Sequence, residues 1–475
     1  MNTIVFAAMF AAIRAVSPTP WDYNPMAWQM ERHNQKLNEI REKGGAPVVF
    51  IGDSITHFWE GAGQEAWNEH FAEGELRAIN LGTSADRTEH VLWRLDEGGE
   101  LSGYEAKCVV IMIGTNNTGH FPFAEEPPID TVIGVKSVID TVRSFQPKAK
   151  IVLMAILPRG RDANDECYRR NEAVNQEIGK FADGDSICWV DICDRFIADD
   201  GRVDERLLPD LLHPNAEGYR IWAEAILPYA TAAVRGEPMP GNTVDPFAPR
   251  HPSAGPSTLA PASRIRQEGF WTDWWCSRLR DKRDQISNSK GEFDLVFLGD
   301  SIMNNMDWGA QGSAALAKLR EKYSVLNLGF SGDRVETLIW RMENGLLEGY
   351  RAKCFMMMIG TNNGGDSAED IAAGIRRALD IVAEKDPEAT TLLLPIFPRR
   401  DQRKEYADKN ERVNGLIRAF ADGDKVLWTD FNAKFLDAND DTAWIMADRL
   451  HPNAEGYSDI WFPSVEPIFR EITGK

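Results

Sequence analysis

Histidine and cysteine are scarce in this chain of 475 residues, and their scarcity narrows its chemistry. The six cysteines, Cys108, Cys167, Cys188, Cys193, Cys276 and Cys354, form no CxxC pair and do not alternate with histidines at metal-ligand spacing. That argues against a disulfide framework and against a zinc site, and no metal or other cofactor is expected. Cys108 and Cys354 hold matching places in "AKCVVIMIG" and "AKCFMMMIG", where buried thiols enter strand-like runs. Positive charge is also short, with 53 Lys and Arg against 73 Asp and Glu and a net charge of -20. A nucleic-acid partner needs Lys and Arg to replace phosphate counterions, so none is expected, and an anionic membrane surface is disfavoured for the same reason.

Apolar runs long enough to span a bilayer are missing, so no integral membrane segment is expected. The first 20 residues, "MNTIVFAAMFAAIRAVSPTP", carry an apolar stretch of signal-peptide length, although no basic residue precedes it and Arg14 interrupts its end. Residues 1–20 are therefore read as a candidate signal peptide and the protein as secreted or periplasmic; if the segment is no signal, it is cytoplasmic.

What the chain does have, it has twice. "FIGDSITHFW" (50–59) returns as "FLGDSIMNNM" (297–306), "AINLGTSADRTEHVLWRL" (78–95) as "VLNLGFSGDRVETLIWRM" (325–342), and "VVIMIGTNN" (109–117) as "FMMMIGTNN" (355–363). "LHPNAEGY" occurs verbatim at 212–219 and 450–457, so the chain is a tandem duplication. Domain 1 is placed at 21–232 and domain 2 at 266–475, joined by a Pro/Gly/Ser-rich linker at 233–265. In each half wholly apolar runs such as "PVVFIG" and "TLLLPIFP" alternate with amphipathic segments. Runs apolar on both faces suit parallel strands sandwiched by helices, so each half is expected to be an α/β, three-layer α/β/α domain. Sites in such sheets gather at the carboxyl ends of strands, where Gly-Asp-Ser and Gly-Thr-Asn-Asn both fall.

A serine nucleophile needs a base, usually a histidine oriented by a carboxylate. From residue 266 onward there is a single histidine, His451, with Asp448 three residues before it in "DRLHPN". "DLLHPN" repeats the arrangement with Asp210 and His213. Donors for an oxyanion are available in the serine N–H, in Gly82 and Gly329 of "NLG", and in Asn116 and Asn362 of "GTNN". Asp53 and Asp300 are read as braces of the serine turn, and Asp86-Arg87 and Asp333-Arg334 as local ion pairs, with substrate binding as the alternative. His57, Phe58 and Trp59 either line the cleft mouth or pack in the core; the second half has Asn304, Asn305 and Met306 there. "TGHFPFAEEPP" makes the loop after Asn117 longer than its counterpart, so the two clefts should differ in shape.

These motifs, in this order, resemble the SGNH hydrolase superfamily, or GDSL esterases. "VVFIGDSI", "VLWRL", "GTNN" and "LPRG" are most similar to the branch around the catalytic subunits of platelet-activating-factor acetylhydrolase and to bacterial carbohydrate acetylesterases. The resemblance implies a flavodoxin-like fold with Ser54 and Ser301 as nucleophiles, His213 and His451 as bases, and Asp210 and Asp448 as their orienting acids. It also implies oxyanion holes at Gly82 with Asn116 and at Gly329 with Asn362. The second half departs at "LPIFPRR", where Pro398-Arg399-Arg400 replaces Pro158-Arg159-Gly160. The expected function is a serine esterase with two catalytic domains, releasing small acyl groups, above all acetyl, from esterified carbohydrate. One alternative is a lipid or platelet-activating-factor-type acetylhydrolase; another is one active domain beside a glycan-binding one.

Overall fold

A computed structural model describes residues 14–20, 27–119, 126–248, 256–265, 269–307, 311–401, 404–439 and 441–475. Compact packing divides the chain into one unit of Ala12–Pro252 with Ile265–Asp273 and another that includes Ser253–Arg264 and Trp274–Lys475. The loop following Gly119, expected to shape the first cleft, lies largely outside the described residues.

The first half builds a five-stranded parallel sheet from β1 (Val48–Gly52), β2 (Ile79–Asn80), β3 (Cys108–Met112), β4 (Lys150–Met154) and β5 (Ile187–Val190), in the order β2-β1-β3-β4-β5. The second half repeats it with β6 (Glu292–Gly299), β7 (Val325–Gly329), β8 (Arg351–Met358), β9 (Thr390–Leu393) and β10 (Val426–Trp428), in the order β7-β6-β8-β9-β10. The expected α/β fold is thus observed twice, in flavodoxin-like order, and the direction in which successive strands are added to the sheet reverses between β1 and β3 and between β6 and β8. The strand residues are apolar on both faces because helices cover both; β1 and β3 are buried throughout. Cys108 and Cys354 are fully buried, and burial pushes both thiols up to about 12.

On one face of the first sheet Phe50, Trp59, Trp67, Phe71, Tyr219 and Trp222 form a continuous aromatic cluster. The corresponding core of the second half leans on Met303, Met306, Met356 and Met358 with Phe297, Trp461 and Phe469.

The boundaries differ from the sequence expectation, for hydrogen-bonding reasons. The helix Ala216–Arg235 runs past residue 232 and ends at Gly236, whose φ of 68° closes it. The expected linker then returns to the exposed edge of β5: Asn242 Oδ1 accepts from Trp189 N (2.9 Å), Thr243 N donates to Trp189 O (2.9 Å), and Thr243 Oγ1 accepts from Asp191 N (2.8 Å). Backbone groups on a sheet edge need such partners. Further along, Ser257–Leu259 docks on the second half, with Thr258 buried and its hydroxyl donating to Asp370 O (2.6 Å). Arg14–Val16 does the same for the first half, with Ala15 O accepting from Thr88 Oγ1 (2.8 Å). Glycine is required beneath both straps: a Cβ on Gly134 would come within 2.9 Å of Ala15 O, and one on Gly374 within 3.0 Å of Thr258 O. Residues 14–16, expected in a leader of 1–20, therefore pack as part of the first half.

Candidate active site

The nucleophile turn follows the switch-point strand in each half. Ser54 is the first residue of a one-turn helix, Ser54–His57, after β1, and Ser301 opens Ser301–Asn304 after β6. Asp53 caps the first by accepting from Ile55 N (2.9 Å), and Asp300 caps the second through Ile302 N (3.0 Å), the bracing role expected of them. Burial raises both carboxyls to about 7 despite these bonds. The turns are held from above by residues the sequence reading passed over, although both lie in the verbatim repeat: Tyr219 Oη donates to Ile55 O (2.5 Å) and Tyr457 Oη to Ile302 O (2.6 Å).

Tyr219 lies on the helix Ala216–Arg235 and Tyr457 in the helical segment Gly456–Trp461, each beginning shortly after its histidine, so each tyrosine ties the serine turn to the histidine loop. His213 Nε2 lies 2.8 Å from Ser54 Oγ, and His213 Nδ1 2.6 Å from Asp210 Oδ2. In the second half the distances are 2.8 Å from Ser301 Oγ to His451 Nε2 and 2.6 Å from His451 Nδ1 to Asp448 Oδ2. Each aspartate also accepts from the backbone N–H of its histidine, at 2.7 and 2.8 Å. Burial works to raise these carboxyls, but the backbone and imidazole hydrogen bonds outweigh it and hold Asp210 and Asp448 below the usual range.

Asp and His can meet at this spacing because the first of the two intervening residues is left-handed: Leu211 has φ 62° and Arg449 φ 60°. That conformation costs a side-chain-bearing residue about 1–2 kcal/mol. It is held by the loop carrying "LPRG" and "FPRR": Gly160 N donates to Leu211 O and Arg400 N to Arg449 O, both at 3.0 Å. The departure of the second half at Arg400 thus preserves the bond that matters to the histidine loop.

The expected oxyanion donors are only partly as read. Asn116 Nδ2 donates to Asp86 O and Asn362 Nδ2 to Asp333 O, both at 2.8 Å, and each amide nitrogen keeps a second hydrogen. Their turns are pinned by Arg159 and Arg399, which donate to Thr115 O (2.8 Å) and Thr361 O (3.0 Å). Gly82 and Gly329 require correction as donors. The N–H of Gly82 donates to Asn80 Oδ1 (2.9 Å) and that of Gly329 to Asn327 Oδ1 (3.0 Å), so both are spent inside the turn. Their carbonyls accept from Arg32 Nε and Arg278 Nε, both at 2.7 Å. These positions are glycine because the turn presses on the serine helix: a Cβ on Gly82 would come within 2.4 Å of His57 N. The Ser54 and Ser301 N–H groups, at the first positions of their helices, have no intrahelical acceptor.

The ion pairs also differ from expectation. Asp86 pairs with Arg94 (2.6 Å) and Asp333 with Arg341 (2.5 Å), whereas Arg87 pairs with Glu89 (2.8 Å) and Arg334 with Asp366 (2.5 Å). Arg87 Nη1 additionally holds Asn116 O (2.7 Å), so this arginine stands behind the asparagine turn. Adjacent residues leave the backbone in different directions, so Asp86 and Arg87, and likewise Asp333 and Arg334, reach different partners. Of the residues after Ser54, Trp59 is core, whereas Phe58 and His57 lie beside the site: the Phe58 ring is 5.0 Å from that of His213.

A serine hydroxyl on an imidazole, itself on a carboxylate, at the switch point of a parallel sheet is the constellation of a serine hydrolase. The GDSL-like Lipase/Acylhydrolase family model matches residues 50–221 and 297–458. Those two regions make up more than half of the chain, which therefore belongs to that family. The chain is 34% identical over 207 residues to the platelet-activating factor acetylhydrolase IB subunit alpha1 of Homo sapiens, a match covering 43% of this chain and 84% of that protein. It is 34% identical over 194 residues to subunit alpha2 from Rattus norvegicus, covering 40% and 78%. Among solved structures, a GDSL-like lipase from Bacteroides thetaiotaomicron aligns at 21% identity with a TM-score of 0.35, over 43% of this chain and 97% of that one. No helix among the described residues is long and apolar enough to cross a membrane.

Proposed function

We propose that both halves are working serine acetylesterases acting on acetylated carbohydrate, in an exported protein. The observation that carries the reading is the serine–histidine–aspartate chain formed twice, with the same distances in each half. Ser54 Oγ attacks the ester carbonyl as its proton passes to His213 Nε2; Asp210 fixes the tautomer and stabilises the imidazolium. The oxyanion is met by the Ser54 N–H and the Asn116 amide. Collapse expels the alcohol, which takes the proton from His213, and water activated by the same histidine then releases the acid from the acyl-serine. Ser301, His451, Asp448 and Asn362 repeat these roles, and their intact geometry speaks against a second half that only binds glycan.

The acetyl group is supported by the names of the curated relatives, which are acetylhydrolases. A carbohydrate polymer as the alcohol is supported by the openness of both sites: Asp210 and Asp448 are each 57% exposed and their histidines 24% and 21%. An open site accepts a chain lying across it. A lipid acetyl ester is the second reading, favoured by the same relatives' names. Acetate release from acetylated xylo-oligosaccharide and from a 2-acetyl ether phospholipid, measured side by side, tests the choice. Turnover of the oligosaccharide alone supports the carbohydrate reading; turnover of the phospholipid alone replaces it.

A further inference from the structure

The first site carries a row of rings that the chemistry above does not use. The Phe58 ring lies 5.0 Å from that of His213 and 5.9 Å from that of His57, and Trp28 stacks on His57 at 6.3 Å with an angle of 24°. Among the described residues eight large apolar side chains are exposed, and two of them, Trp28 at 40% and Phe58 at 36%, belong to this row. Single exposed apolar residues are ordinary, but two of them joined through the His57 ring beside one nucleophile turn make an aromatic ledge. His57 adds one polar feature. Its Nδ1 faces the Ser84 backbone N–H (3.3 Å) and hydroxyl (2.9 Å), so it is the acceptor and Nε2 keeps the proton. Burial and the Arg32 charge lower its pKa to about 4, so the ring stays neutral at ordinary pH.

The second half does not repeat the row. Asn304 and Asn305 stand where the first half has His57 and Phe58, and Asn304 Nδ2 is bonded to Ser331 Oγ (2.9 Å). Trp274, at the position of Trp28, is turned edge-on to Phe330 at 6.4 Å.

We propose that Trp28, His57 and Phe58 form a binding ledge at the first site that takes the flat apolar face of a sugar ring on the alcohol side of the ester, with the His57 Nε2–H donating to a ring hydroxyl. This rests on the carbohydrate reading and makes the first site the ring-selective one. A pyranose presents a face of C–H bonds that an electron-rich aromatic ring attracts, and its hydroxyls lie at the edge where a lone donor can reach them.

The test uses the full chain with Ser301→Ala, so that only the first site acts, and compares kcat/KM for acetylated xylo-oligosaccharide with that for triacetin, an ester without a ring. Trp28→Ala and Phe58→Ala are each expected to lower the ratio of the two by about three- to tenfold, mainly through KM for the oligosaccharide. Trp28→Phe is expected to restore most of it. A ratio unchanged in both alanine variants, whether or not both activities fall together, overturns the ledge, and so does a fall that Trp28→Phe does not rescue. Failure of the carbohydrate reading looks different: the Ser301→Ala protein itself cleaves triacetin and leaves the oligosaccharide intact, which removes both that reading and the ledge.

Discussion

The two halves run the same hydrogen-bond relay on different foundations. In the first, buried Arg94 is shared between Asp86 and Glu100, and Glu100 also holds His33 Nδ1 (2.7 Å). In the second, Arg341 keeps Asp333 but loses the rest: Leu346 follows Gly345 as Glu100 follows Gly99, and Leu279 follows Arg278 as His33 follows Arg32. Its guanidinium lies over the Phe330 ring instead, 3.9 Å from the centroid, and donates to Leu328 O. The duplicated fold has thus exchanged a buried ionic cluster for leucines and an aromatic face while the Ser–His–Asp distances stayed the same. The lesson is that the site needs an arginine anchored on Asp86 or Asp333, next to the asparagine's backbone acceptor, and is indifferent to how the far side of that arginine is satisfied.

The sharpest way to break the equivalence is to silence each half in turn. Ser54→Ala and Ser301→Ala are each expected to remove their own half's turnover by at least about a thousandfold, leaving the other half's intact, and the double variant to retain almost nothing. Initial rates on one acetyl ester decide it; a single variant that abolishes all turnover would show that only one half works.

The next contrast concerns the foundations. Glu100→Leu alone strands His33 and unbalances Arg94, at an expected cost of about 3–5 kcal/mol. Adding His33→Leu, which reproduces the second half's pair, is expected to recover most of the loss. Urea unfolding of the single and double variants measures the coupling, and simple additivity would contradict the comparison.

Where the halves agree, equal effects are expected. Tyr219→Phe and Tyr457→Phe each remove one buried hydrogen bond to the serine helix, for about 1–3 kcal/mol apiece in thermal unfolding. A marked inequality would mean that one tyrosine carries more than the bond seen.

The smallest effect is a pH difference. His57 has a folded pKa of about 4 against an ordinary value of 6.5, so the folded first half favours the neutral ring. Its stabilising effect is complete above pH 6.5 and is lost as the pH falls from 6.5 toward 4. His57→Asn, the residue of the second half, is expected to flatten the fall of the first half's melting temperature across that window. Asp53 and Asp300, raised to about 7, act in the opposite sense, favouring the fold at low pH and less as the pH rises toward 7, but they do so in both halves and cannot separate them.

By itself the sequence determined the duplication, the parallel α/β sheets, and the serines, histidines and aspartates that meet at each site. Repeats and apolar runs are local patterns, and a histidine that occurs once in a half leaves few partners to choose from. Tertiary structure decided the rest. Which N–H remains available is a question of three-dimensional bookkeeping, so Gly82 and Gly329 looked like donors until Asn80 and Asn327 proved to hold them. Neighbours in sequence such as Asp86 and Arg87 turned to different partners because consecutive residues leave a backbone in different directions. The straps at Arg14–Val16 and Ser257–Leu259 carry no periodic signal, since a few residues seated in a groove gain their order from the groove and not from their own pattern.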